Sequence, residues 1–139
     1  MPLHSNYLFV YGTLLKDLDN DMSKFLNVHA RLVGKGYFYG QLFQVSWFPG
    51  AIESTNTSEK VYGSIFNVKD FETLFKVLDD YEGVGENQPK PNLYTRELVT
   101  AFLQDGSELE TWVYLYNLPT EHLKQIISGD FLKFSVDKF

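Results

Sequence analysis

Glu82 lies near the end of the stretch KVLDDYEGV, residues 76–84, where the apolar spacing predicts a helix that is running out. Phe71, Leu74, Phe75 and Leu78 recur at i, i+3, i+4 and i+7, which is one face of a helix. Glu82 continues that stripe: at about 100° per residue, its side chain returns to within roughly 20° of Phe71. A carboxylate there meets two costs. Desolvation disfavours its ionised form, and the helix C-terminus adds partial negative charge. Both raise its pKa towards what a general acid or base needs at neutral pH. The competing reading is a helix that frays at Tyr81 and turns Glu82 to water. Asp79 and Asp80 fall on other faces and are expected to be solvated. Gly83 suits the C′ position that closes a helix.

A second stretch with chemical potential is YGTLL, residues 11–15. Gly12 lets the chain turn tightly and expose consecutive N–H groups. With the Thr13 hydroxyl, these can hold a carboxylate or an oxyanion; the plainer reading is an ordinary strand-to-loop turn. Trp112, Tyr114 and Tyr116 alternate on one strand face, which either packs a core or lines a pocket. His4, His29 and His122 lie far apart and read as surface or packing residues. The chain has no HExxH, no EF-hand loop, no GxGxxG and no P-loop, so no metal site and no nucleotide motif is expected.

These residues sit in a chain of 139 residues, a single-domain length. Apolar residues make up 44%, and 12 Phe and 9 Tyr are enough to fill one core. A formal charge of −6 argues against nucleic acid as a partner, because phosphate binding needs clustered Lys and Arg. The absence of cysteine removes disulfides, thiolate catalysis and thiolate metal sites. No stretch approaches a membrane span and no secretory signal is apparent, so a cytoplasmic protein is expected.

The elements that would position Glu82 follow from local pattern. YLFVYG, residues 7–12, reads as a buried strand stopped by glycine. A short helix fits residues 17–28, where Met22, Phe25 and Leu26 have helical spacing. Residues 30–45 read as a long strand with Gly34, Gly36 and Gly40 on one face, where missing side chains permit a sharp bend. FPGAIES reads as a short strand, with VYGSIFNV (61–68) as the strand returning from it. Asp70 is a plausible N-cap for a helix over 71–81. Residues 93–104 and 108–117 form a hairpin around DGS. After Pro119 a short helix and a loosely packed tail are expected. The order predicts an α+β fold: a small mixed β-barrel flanked by two or three short helices.

Six stretches in order carry a resemblance: LFVYGTL (8–14), FPGAI (48–52), VYGSIFNV (61–68), LDDYEGV (78–84), LYTRELV (93–99) and WVYLYN (112–117). Together they resemble the γ-glutamylcyclotransferase-like family, particularly its γ-glutamylamine cyclotransferase-like branch. The match covers about 7–117 of a single domain over 1–139 and leaves 118–139 unassigned. It implies a barrel with one cavity, and a substrate-holding loop of Tyr11, Gly12, Thr13 and Leu14. It implies Glu82 as catalytic acid/base, and Tyr114 or Tyr116 as pocket lining. The implied partner is a small γ-glutamyl substrate that cyclises to 5-oxoproline, with no metal or organic cofactor required. The loop GENQPKPN after Glu82 departs from the family pattern near the pocket mouth.

Two other readings stay open. A barrel of this fold can bind a small metabolite or peptide without turning it over, since fold does not fix function. A lyase-like relative would share the mechanism and differ only in leaving group. Arg96, mid-strand in YTREL, is expected to be structural, pairing with a carboxylate or with carbonyls near the barrel rim.

Overall fold

The structure is a computed structural model and describes residues 5–11, 21–46, 48–82, 84–85 and 90–131, without the side chains of 21–23. His4, Gly12, Thr13, Leu14, Gly83 and residues 86–89 and 132–139 lie outside the described residues.

The described elements run β1 (Tyr7–Val10), α1 (Asp21–His29), β2 (Ala30–Gln44), β3 (Pro49–Glu53), β4 (Lys60–Val68), α2 (Phe71–Glu82), β5 (Tyr94–Leu103), β6 (Glu108–Tyr116) and β7 (Lys124–Gln125). The sheet order is β3-β2-β4-β1-β6-β5, and a further β2–β5 pairing closes five of these strands into a barrel. Among the described strands only β1 and β6 run parallel, with Leu8 opposite Trp112. The expected mixed barrel with helices outside is therefore the observed one.

Closure depends on β2. Its first part pairs with β4 from Ala30 to Tyr39, and Gly36 and Tyr37 pair with Leu103 and Phe102 of β5. A Cβ on Gly36 would stand 2.3 Å from the Phe102 carbonyl oxygen, so only glycine lets the two backbones approach. Beyond Gly40 the strand leaves β4 and pairs with β3 and β7. Residues 49–53 and 60–68 therefore do not form the hairpin their sequence suggests: β3 and β4 flank β2 on opposite sides. The polar turn between them is held by Glu59, which accepts from Ser54 Oγ at 2.7 Å and Gln41 Nε2 at 2.8 Å.

Strand alternation divides the apolar residues into two cores. Inside the barrel, Phe9, Phe38, Leu42, Val61, Ile65, Val99, Ala101, Val113 and Leu115 meet, with Phe9 and Phe38 edge to face at 5.1 Å. On the outside, Leu8, Val10, Phe66, Val68, Tyr94, Tyr114 and Tyr116 pack with Leu26 of α1 and Leu74, Phe75 and Leu78 of α2. β1 serves both cores, which explains its unbroken apolar run.

The segment after Pro119 is better packed than its composition suggests. It forms turns and β7 over the described residues, and Ile126 and Phe131 are buried in the barrel-interior core. Gly129 has φ +71°, its N–H donates to Ile126 O, and its carbonyl accepts from Tyr62 N–H at 2.8 Å. Among the described residues no helix is long and apolar enough to cross a membrane.

Candidate active site

α2 begins as its sequence indicates and ends one residue later than expected. Asp70 caps it: its carbonyl accepts the Leu74 N–H at 2.9 Å, while its carboxylate lies 3.0 Å from His29 Nδ1. The helix continues through Glu82 instead of fraying at Tyr81. Past it, the Val84 N–H donates to the Asp79 carbonyl at 2.7 Å, the six-to-one bond of a Schellman ending. That bond ties down the turn carrying Glu82. The loop beyond is closed at its ends by Gly85 N–H donating to Asn92 Oδ1 at 3.0 Å and by Asn117 Nδ2 donating to the Asn92 carbonyl.

Glu82 is half-buried as a residue, and removal from water raises its carboxyl from the ordinary 4.5 to about 7. Its charge acts on three phenols from three parts of the barrel: Tyr11 after β1, Tyr94 on β5 and Tyr114 on β6. Burial is the largest cause that pushes each of these phenols upward, so each stays a neutral O–H.

The phenolic protons have other partners. Tyr11 donates to the Tyr114 carbonyl at 2.5 Å and accepts the Ala51 N–H at 3.1 Å. Tyr94 donates to the Pro49 carbonyl. Tyr114 donates to Asp79 Oδ1 at 2.6 Å. Tyr11 and Tyr94 thus pin β3 to the barrel, and Tyr114 pins α2. Gly50 of β3 gives Tyr116 its place: a Cβ there would stand 2.9 Å from the Tyr116 side chain, whose ring also meets Tyr94 edge to face at 6.1 Å.

Asp79 is the largest departure from expectation. It is not solvated: its side chain is 25% exposed and forms a two-point pair with Arg96, Nε to Oδ1 at 2.8 Å and Nη2 to Oδ2 at 3.1 Å. The guanidinium lies 4.5 Å from the centre of the Phe75 ring and 4.8 Å from that of Trp112. Arg96 is thus the carboxylate-paired residue its strand position suggests. Asp79 follows Phe75 by four residues, about 40° round the helix, and this phase relation is the signal that was available. Asp80 is exposed, as expected.

The structure therefore brings Glu82, Tyr11 and Tyr114 together, with Tyr116 one strand position further and packed on Tyr94. Tyr94 belongs to the same group although its sequence context assigned it no role. Trp112 stands apart from the three phenols, against Phe71 and Phe75. His29 is half-buried against Phe25 and His122 is exposed, so neither enters the site. Among the described residues no three acidic or histidine side chains gather as metal ligands.

Known proteins are similar to this chain over most of its length. The family model described as gamma-glutamyl cyclotransferase, AIG2-like, matches residues 8–133. A protein of Methanocaldococcus jannaschii, whose assigned name of gamma-glutamylcyclotransferase is itself provisional, is 32% identical over 111 residues, 79% of this chain and 83% of its own length. The solution structure of protein ytfP from Escherichia coli is similar with a TM-score of 0.63 at 28% identity, covering 93% of this chain and 98% of that one. The crystal structure of an AIG2-like protein from Mus musculus has a TM-score of 0.66 at 23% identity, covering 87% and 85%. With its closed five-stranded barrel and with this family match across most of its length, the chain belongs to the γ-glutamyl cyclotransferase, AIG2-like family.

Proposed function

We propose that the protein cyclises a γ-glutamyl amine or peptide, releasing 5-oxoproline and a free amine, with Glu82 as acid and base. The observation that carries this reading is a carboxylate withdrawn from water in the last turn of α2, near three neutral phenols, where burial raises it to about 7. A group poised near neutrality both accepts and returns a proton without a large energetic penalty.

The α-amine of the substrate attacks its own γ-carbonyl carbon. Glu82 accepts the amine proton as the new C–N bond forms. It returns that proton to the departing nitrogen as the old amide C–N bond breaks, so atoms and charge balance. The nucleophile is already tethered, and holding the chain curled supplies much of the acceleration. Tyr11 with Gly12, Thr13 and Leu14 is assigned to hold the substrate, and Tyr114 and Tyr116 to wall the site. No metal or cofactor takes part in this reading. The test is incubation with a panel of γ-glutamyl amines and dipeptides, followed by detection of 5-oxoproline. Binding of a panel member without any 5-oxoproline would favour a non-catalytic binding barrel instead.

A further inference from the structure

We propose that Asp79 is a positioning residue for this reaction: it fixes the last turn of α2, and with it Glu82, against Tyr114 and Arg96. The role stands on the reading of Glu82 as acid and base.

Asp79 lies one turn before Glu82 and is anchored twice. Its carboxylate receives three donors, two from Arg96 and one from Tyr114. Its main-chain carbonyl receives the Val84 N–H, so Glu82 is bracketed between two fixed points. The Arg96 fork is itself set by aromatic rings, at 4.5 Å over Phe75 and 4.8 Å over Trp112. A planar guanidinium paired at both oxygens fixes orientation as well as distance.

The same carboxylate orders the substrate side. Tyr114 gives its O–H to Asp79 and its carbonyl to the Tyr11 O–H, and Tyr11 in turn accepts the Ala51 N–H. One path of residues linked by hydrogen bonds thus joins the helix end that carries Glu82 to Tyr11 and to β3. A salt bridge that served only to hold α2 to the barrel would not need the Tyr114 phenol. The charged and titratable groups around Glu82 are Tyr11, Tyr94 and Tyr114 on the barrel, with Asp79 and Arg96 behind Tyr114.

The test is Asp79→Asn, with Arg96→Lys as a milder variant that keeps the charge and loses the fork. Steady-state kinetics on a turned-over γ-glutamyl compound give kcat, KM and the pH profile. Carbon-13 NMR of labelled protein gives the Glu82 carboxyl titration directly. Misplacement of a reacting group by about 1 Å costs up to about 10²-fold. Asp79→Asn should therefore lower kcat by about 10- to 100-fold, with KM changed less. Its Glu82 titration should fall from about 7 towards the ordinary carboxylate range, because burial is what raises it and a released turn lets water reach the carboxyl. Arg96→Lys should move both in the same direction by less. If Asp79→Asn fails to fold, Arg96→Lys decides alone. A lowered thermal midpoint with unchanged kcat and Glu82 titration makes Asp79 merely structural and overturns the proposal. If no γ-glutamyl compound is turned over by the unaltered protein, the functional reading fails, while the NMR titration still decides whether Asp79 sets the state of Glu82.

Discussion

The barrel interior and the layer between the barrel and α2 are built from the same strands, yet they have opposite chemistry. Inside, odd-numbered residues of β1, β4, β5 and β6 and even-numbered residues of β2 supply aliphatic and phenylalanine side chains. Two hydroxyls buried there find partners: Thr111 donates to the Val99 carbonyl across the hairpin, and Tyr11, just after β1, donates to the Tyr114 carbonyl. Outside, the alternate residues of β5 and β6 are Tyr94, Arg96, Leu98, Trp112, Tyr114 and Tyr116, in register across the hairpin. The phenols of Tyr94 and Tyr114 and two nitrogens of Arg96 find partners on β3 or α2. The interior sets shape, and the outer layer sets positions. A carboxylate at the edge of that layer is withdrawn from water and still surrounded by fixed dipoles, which is the environment that tunes a pKa.

The largest effect that separates the two regions is expected from Glu82→Gln. Gln keeps size and most hydrogen bonds but cannot accept a proton. Loss of general acid/base catalysis costs about 10²- to 10⁴-fold in rate. Turnover of a γ-glutamyl compound should fall by that much, ligand affinity less, and circular dichroism should show an intact fold. Wild-type-like turnover would break the link between the outer layer and chemistry.

Phe38→Ala probes the other region. Phe38 is fully buried in the barrel, so its removal should cost about 3–5 kcal/mol in denaturant unfolding. Turnover per folded molecule should fall far less than in Glu82→Gln, although Phe38 meets the Tyr11 ring edge to face at 6.4 Å. A large loss of kcat at unchanged stability would put the interior into the site.

Arg96→Ala is intermediate. It removes two of the three donors to a half-buried carboxylate, worth about 1.5–3 kcal/mol for hydrogen bonds to a charged group, discounted by partial exposure. Stability should fall more than turnover per folded molecule, because the Tyr114–Asp79 bond remains. A stable protein that has lost turnover would bring Arg96 into the reaction itself.

A further effect appears only as pH changes. Burial raises the Glu82 carboxyl from 4.5 to about 7, so between those values the folded chain keeps a proton that the unfolded chain has released. Rising pH through that window removes stability from the wild type and not from Glu82→Gln. The variant's thermal midpoint should match the wild type near pH 4.5 and lead it by a growing margin up to pH 7. A constant difference across that range would mean that Glu82 is solvated.

Much of this was legible in the residues. The 3.6-residue stripe from Phe71 to Glu82 announced both the helix and the inward carboxylate, because burial of one face is a local property of spacing. Glycines 36 and 40 on one face of β2 announced a bent strand. The Arg96 pairing followed from a cation on a half-buried strand face. What failed was non-local. FPGAI and VYGSIFNV look like a hairpin because a polar turn joins them, but β2 is long enough to separate them and pair with both. Asp79 looked solvated although its phase, about 40° from Phe75, hinted at partial burial; its partner Arg96 lies on β5, and spacing within α2 does not name that partner. The segment after Pro119 looked loose because nothing in its own spacing shows that Ile126 and Phe131 fill a core built by other strands.

The most direct test of the central claim is the pH dependence of 5-oxoproline release. With a γ-glutamyl compound that the protein turns over, kcat/KM should rise with pH along a limb whose half-point lies near 7, separate from any limb due to the substrate's own ammonium group. That limb should vanish in the residual activity of Glu82→Gln. A profile that is flat from about pH 5.5 to 8.5, or a limb near 7 that survives the substitution, would contradict the assignment of Glu82 as the base.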